Sequence, residues 1–365
     1  MARKPEIVVA GLGVAGATLA YYAALRGFDV EGYDPAPNYM KACGDAVTLK
    51  PLTRRLVEET GSVVGGVKRY LIAVNGQVVS EFTFTSPVWA IVDKGRLVMG
   101  LREMAVSEGA RLSLRHWRGE RGVATVDARG PYSSSIKEAV FLYRVIAPSM
   151  GSWDDDTALL DFNVRERGVY WIFPSGDGRV NVGAGFESLW NAGAIESRLK
   201  RYYKAFTGAP LEPVDRRGAP MQLFAPLKPY EAGVFKVGEA GGFLLRTGGE
   251  GNRMAMLTGK ALADALSRGW GSTWRVRAIY AMETWGLRDE VQTSRMLLWI
   301  VARSPPGRAE DLLSSLPRWF WIRFVQARVR ASTLASMIAI WPGLGVKVAR
   351  SLLSALALRA PRQGS

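Results

Sequence analysis

The 365-residue chain has a single cysteine, Cys43, and a single histidine, His116. A lone thiol closes no internal disulfide, which points to a reducing, cytoplasmic setting. A lone imidazole excludes a poly-histidine metal centre and argues against a Ser-His-Asp hydrolase, so no metal site is expected. No run of about 20 uncharged apolar residues is present, so no transmembrane helix is expected. The nearest approach, 331–346, is broken by Pro342, Gly343 and Gly345. Arg3 and Lys4 ahead of the apolar stretch 7–20 imitate a secretory leader, but the glycine spacing inside it has another explanation. With 48% apolar and 22% charged residues the composition is globular, which excludes disordered and fibrous classes. The length allows two domains, and no internal repeat is seen.

Acidic residues are also missing from the C-terminus. Between Leu312 and Ser365 there is no Asp or Glu, against seven Arg and Lys347, so this segment carries more than half of the +15 net charge. A positive field of this kind favours anionic partners. Trp319, Phe320, Trp321 and Phe324 are interleaved with Arg318, Arg323 and Arg328. Rings and arginines beside apolar helix suit a membrane interface. A solvated helical lid is the alternative. Nucleic acid is disfavoured because no RRM, zinc or helix-turn-helix signature accompanies the charge.

What is present is most specific at the other end. Ile7–Ala10 reads as a buried strand, Gly11-Leu12-Gly13-Val14-Ala15-Gly16 as a glycine turn, 17–26 as a helix, and 28–34 as a second strand ending in Asp34. Strand, GxGxxG, helix, strand and acid together form a dinucleotide-binding pattern. Gly11 permits the tight turn, Gly13 lets backbone approach a pyrophosphate, and Gly16 lets helix pack on strand. Asp34 is placed to accept from a ribose diol. The motif fits NAD and FAD equally. Far along the chain, Val234–Val237 runs into Gly238-Glu239-Ala240-Gly241-Gly242, and a second glycine turn, 248–251, precedes an alanine-rich helix at 254–266. Two such turns before a helix suggest a second site of close backbone approach.

These segments resemble flavoproteins of the p-hydroxybenzoate hydroxylase fold, and within it the geranylgeranyl reductase family. Three motifs carry the resemblance, which spans about residues 6–270: Lys41-Ala42-Cys43-Gly44-Asp45; Trp171-Ile172-Phe173-Pro174 followed by 180–185; and Gly249-Glu250-Gly251 with 255–260. The departures are Glu166 and Val169 ahead of the WxFP motif, Glu239 in place of Asp, Arg246 in place of the loop Pro, and Asn252 after GEG. The segment 145–151 lacks the family's Ala-Asp-Gly.

The resemblance implies FAD as cofactor, held by Gly11, Gly13, Ala15, Gly16, Asp34, Cys43, Gly44, Arg96, Glu239, Gly251 and Asn252, with Lys94 in reserve for Arg96. It implies reduction of isolated C=C bonds in a prenyl lipid or other isoprenoid, with hydride from flavin N5. Cys43 is the candidate for proton delivery or flavin positioning. Trp171, Phe173 and Tyr170 are the candidate substrate residues, with Trp89 and Phe186 as further lining. No second dinucleotide fingerprint is present, so NAD(P)H visiting transiently or a small redox protein supplies electrons. The alternatives are a monooxygenase of the same fold or a membrane-associated flavoprotein without this activity. A halogenase is disfavoured because 12–22 holds no lysine.

The expected fold class is α/β. A Rossmann-like FAD domain (1–55, 92–150 and 232–270) is interleaved with an antiparallel-sheet substrate domain (56–91 and 151–231). A basic helical region, 271–365, follows, and the protein is expected to be cytoplasmic and peripheral to a membrane.

Overall fold

The computed structural model describes residues 6–37, 41–133, 139–187, 191–340, 343, 346 and 347. Arg350, Arg359 and Arg362 of the basic tail, and most of the turn expected at 341–345, lie outside the described residues.

Strand β1 (Ile7–Ala10) is wholly buried and leads through the glycine turn into α1 (Val14–Ala24) and β2 (Val30–Tyr33). The helix starts three residues before the sequence pattern suggests, because Gly13 itself is its extended N-cap. Strand β3 (Ala46–Thr48), helix α2 (Pro51–Glu59) and strands β4 (Val63–Val67), β5 (Arg69–Val74), β6 (Gln77–Thr83) and β7 (Trp89–Val92) follow. Helix α3 (Lys94–Ser107) is capped by Asp93, whose carboxylate accepts from the backbone of Arg96. It returns the chain to β8 (Arg111–Ser113) and β9 (Ala124–Asp127).

Next come β10 (Val140–Pro148), β11 (Thr157–Asn163), β12 (Gly168–Pro174), β13 (Arg179–Phe186), helix α4 (Ala192–Thr207) and β14 (Asp215–Met221). Strands β15 (Tyr230–Glu231) and β16 (Val234–Lys236) precede α5 (Asn252–Gly269). The chain ends in helices α6 (Thr273–Glu283), α7 (Trp285–Arg303), α8 (Pro306–Ser314), α9 (Arg318–Val325) and α10 (Ala331–Ile340).

The described strands form three sheets. The first has the order β15-β16-β9-β1-β2-β8, with β1 parallel to both β2 and β9. Helices α1, α3 and α5 pack into its core through residues such as Leu19, Leu101 and Leu262. The second, larger sheet has the order β14-β10-β13-β12-β11-β5-β6 and is antiparallel except where β11 meets β5. A small sheet, β3-β7-β4, completes the set. The fold is thus α/β, with a Rossmann-like sheet, an antiparallel sheet and a C-terminal helical region.

Strand β10 corrects one expected boundary. It falls inside the 92–150 segment given to the nucleotide unit, yet it pairs with β13 and β14 of the large sheet. Side chains alternate across that sheet. Val140, Leu142, Leu160, Trp171 and Phe173 share a cluster with Phe320 and Trp321 of α9. Tyr143, Leu159, Tyr170, Ile172 and Phe186 share another with Ile195, Leu199 and Tyr203 of α4. The C-terminal helices therefore roof one face of the sheet, and that roofed face borders the site.

Candidate active site

One cavity of about 930 Å³ runs from the C-terminal end of β1 to the roofed face of the large sheet. Its wall contains Gly11, Gly13, Ala15 and Asp34 at one end, Cys43, Gly44, Lys94, Glu239, Gly251 and Asn252 in the middle, and Trp89, Trp171, Phe173, Leu297 and Phe324 beyond them. Three remote sequence motifs thus meet on one space.

The glycines are there for steric reasons. Gly11 has φ +91°, and a Cβ on it would stand 2.7 Å from the carbonyl oxygen of Ala128. A Cβ on Gly16 would stand 1.9 Å from the Gly11 carbonyl oxygen, so Gly16 serves helix-on-strand packing and is not part of the cavity wall. Two helix N-termini open on the cavity, α1 at Gly13 and α5 at Gly251. Neither carries a side-chain cap or an acidic residue in its first turn. Such termini offer amide donors and the positive end of the helix dipole to anionic oxygens. This donor set fits a dinucleotide's pyrophosphate, and an acid at the end of β2 fits its ribose.

Asp34 is itself held in place. It accepts from the backbone of Leu12 at 2.7 Å and of Ala36 at 2.9 Å, and it pairs with Arg102 at 3.5 Å. Arg102 also donates to the carbonyls of Leu12 and Ala36. Sequence reasoning missed this residue, although a signal existed. On α3 the buried positions are Lys94, Leu97, Val98, Leu101, Arg102 and Ala105, a helical stripe with two cations inside it. A second omission is Asp127-Ala128-Arg129-Gly130 at the end of β9. Ala128, Arg129 and Gly130 line the cavity beside Gly11, and Asp127 binds Arg129 at 2.8 Å.

In the middle of the cavity, Lys94 donates to Asn252, and its Nζ lies 3.7 Å from the Cys43 sulfur. Asn252 Nδ2 lies 3.6 Å from the same sulfur and donates to the carbonyl of Ala46 at 3.1 Å. Glu239 receives Lys41 at 2.5 Å and the backbone of Gln222 at 2.8 Å. Trp171 donates to Asn181 at 2.9 Å, and Asn181 donates to the carbonyl of Cys43 at 2.8 Å. The WxFP strand and the cysteine motif are therefore tied through one amide side chain. Glu250 pairs at 2.9 Å with the buried Arg253, which reaches Glu290 of α7 at 2.8 Å.

Besides Gly16, three expected site residues lie outside the cavity wall. Arg96 is exposed and donates to the carbonyl of Gly61. At about 100° per residue, two steps beyond the inward Lys94 bring it to the outer side of α3. Tyr170 points to the α4 face of the sheet, stacks on Tyr202 at 4.3 Å and donates to Glu166 at 2.6 Å. Phe186 lies on that same face. From Val169 onward alternate residues of β12 line the cavity, so Trp171 and Phe173 belong to its wall while Tyr170 faces away.

No protein-family model matches the chain. The chain is 25% identical over 319 residues to digeranylgeranylglycerophospholipid reductase of Sulfolobus acidocaldarius, covering 72% of this chain and 69% of that protein. Among solved structures it is similar to a geranylgeranyl bacteriochlorophyll reductase-like protein of Thermoplasma acidophilum, with TM-score 0.77 and 15% identity over 95% of this chain and 99% of that one. It is also similar to a flavin-dependent brominase, with TM-score 0.65 and 15% identity over 88% and 93% of the two chains. A protein of Pseudomonas aeruginosa described as a probable FAD-dependent monooxygenase gives TM-score 0.61 and 15% identity over 86% and 100%. The chain thus has the fold of FAD-dependent oxidoreductases, and in both sequence and fold it is similar to geranylgeranyl reductases.

Proposed function

We propose that this protein is an FAD-dependent reductase that saturates C=C bonds in the prenyl chains of a membrane lipid or related isoprenoid. The observation that carries the reading is the single cavity joining the two uncapped helix N-termini to an aromatic chamber beneath α7 and α9. The group that fits the first part is FAD, held by the turns at Gly11–Gly16 and Gly249–Asn252, by Asp34 and by Glu239. When bound and reduced, FAD supplies a hydride to one alkene carbon.

The chain's own residues do the rest. Trp89, Trp171, Phe173 and Phe324 provide an apolar, water-poor wall for a long chain. The Cys43 thiol, which meets Lys94 and Asn252 on that wall, is the group we assign to move a proton to the other alkene carbon. The basic C-terminal helices support work at a membrane surface. Among the described residues no helix is long and apolar enough to cross a membrane.

The test is anaerobic incubation of the FAD-loaded protein with dithionite and a prenylated lipid extract, read by mass spectrometry. Gains of two hydrogens per bond are expected. Unchanged lipid masses would refute the proposal. The second reading, a monooxygenase, is favoured by the fold shared with the Pseudomonas protein. It predicts oxygen-dependent NAD(P)H oxidation and a product heavier by one oxygen.

A further inference from the structure

Most cations on the cavity wall sit beside carboxylates: Arg102 with Asp34, Lys41 with Glu239, Arg129 with Asp127. Arg246 differs. It belongs to the wall, is 3% exposed, and follows Leu244 and Leu245 in the loop before α5. Its backbone N–H donates to the Ser294 hydroxyl of α7 at 3.1 Å, which fixes the main chain. Of the guanidinium, Nη2 donates to the carbonyl of Ala225, whereas Nε and Nη1 have no acceptor and no access to water. Among the described residues no carboxylate pairs with it. Glu250 and Glu290, which also belong to the wall, are held by Arg253 and Arg330. Burial pushes the Arg246 guanidinium down to about 10, and the neighbouring Arg295 adds to the effect.

Guanidinium groups with desolvated, unfilled donors are the side chains best matched to oxyanions, because their fork is planar and permanently charged. Held by one carbonyl only, this fork keeps two unfilled donors for a ligand oxygen. The same cavity wall carries the apolar Leu297, Leu298, Val301 and Phe324. We propose that Arg246 is an anion-recognition site that receives a phosphate oxygen carried by the amphiphile whose chain fills the aromatic chamber. The inference rests on the chamber accepting such a chain. It adds the residue that reads the phosphate.

The experiment uses FAD-loaded protein and equilibrium titrations followed by the flavin difference spectrum and tryptophan fluorescence, so no turnover is needed. The probes are geranylgeranyl phosphate, geranylgeraniol and inorganic phosphate. The wild type is expected to bind the phosphate ester at least about tenfold more tightly than the alcohol. In Arg246→Met that gap closes, and in Arg246→Lys part of it returns. Thermal melting and flavin content verify that each variant is folded, with Arg246→Gln as a second variant if methionine impairs folding. Equal affinity for ester and alcohol in the wild type, or a gap that survives in Arg246→Met, overturns the inference. Inorganic phosphate binding as tightly as the ester overturns it too, since the source is then free phosphate. If both prenyl compounds bind but no lipid gains hydrogen, the reductase reading fails, and Arg246 is judged on the binding gap alone.

Discussion

Gly183 of β13 lies directly under the indole of Trp171 on β12: a Cβ added there would stand 2.0 Å from Cζ2 of that ring. The same edge of the ring, through Nε1, donates to Asn181, two residues away on β13. A glycine and an asparagine on one strand therefore set the position of the aromatic that faces the cavity. Gly183→Ala should push the indole aside, at a cost of about 1–3 kcal/mol for overpacking. A displaced wall near the reacting bond should lower turnover about a hundredfold while FAD content stays near wild type. Retained turnover in a folded, flavin-replete variant would show that the Trp171 position does not matter.

Lys94 and Arg96 give a paired test, because the two cations leave α3 in opposite directions. Lys94→Met removes a buried charged hydrogen bond to Asn252 and should weaken FAD binding about tenfold or more. Arg96→Ala removes an exposed contact to Gly61 and should leave FAD affinity within about twofold. Flavin fluorescence titration of the two apoproteins measures both. The reverse ranking would mean that the outer side of α3 faces the cofactor.

Cys43 calls for separation of chemistry from positioning. Cys43→Ala should bind FAD normally yet reduce prenyl chains slowly. Cys43→Ser, which keeps a proton on the side chain, should recover part of the rate and change the solvent isotope effect. Equal rates in all three proteins would assign the proton to another group.

The nucleotide end was legible because its signal is local: strand, glycine turn, helix and acid are contiguous, and each glycine has a steric cause. Residues misplaced from sequence share another trait, in that their outcome depends on which way a regular element faces. Tyr170 and Trp171 are adjacent and both aromatic, and only pairing with the neighbouring strands decides which one meets the cavity. Arg96 and Lys94 pose the same question on a helix. The buried stripe of α3 would have answered it and revealed Arg102 as well. The Asp127–Gly130 segment was hidden for a different reason. Its strand β9 has four residues, and the nine-residue β10 that follows gives a stronger strand pattern. Arg253 was invisible as a structural ion, since its partner Glu290 is 37 positions away in sequence.

That ion knot predicts a large stability effect. Arg253 is buried and holds Glu250 beside the glycine loop and Glu290 on α7, while Arg330 at the foot of α10 holds Glu290 from the other side at 3.1 Å. Replacing Arg253 by Met strands Glu250 and leaves Glu290 with Arg330 alone. Breaking a buried network from one side costs about 3–5 kcal/mol. A lower melting temperature with loss of bound FAD is expected, because the loop and α5 lose their anchor together. The double variant Arg253→Met, Glu290→Gln should recover part of the loss. No recovery would show that the two residues act independently.

Membrane association makes its own prediction, and the roof helices narrow its source. Phe320 and Trp321 of α9 are buried in the core under the large sheet, so these rings are not available to a bilayer. Exposed large side chains of the C-terminal helices include Trp274, Met282 and Trp285 near the α6–α7 junction, the two tryptophans each 74% exposed, and Ile338 and Ile340 at the end of α10. Arg275, Arg277 and Arg295 are also exposed on α6 and α7. Rings at headgroup depth with arginines alongside suit an anionic surface, and each basic residue near such a surface contributes about 1 kcal/mol. The protein should co-float with vesicles containing phosphatidylserine and not with neutral ones. Binding should fall steeply between about 0.05 and about 0.5 M salt as the charges are screened. Trp285→Ser should weaken what remains at high salt, because that fraction rests on ring insertion. Absence of flotation at low salt would make the basic helices a roof over the cavity and nothing more.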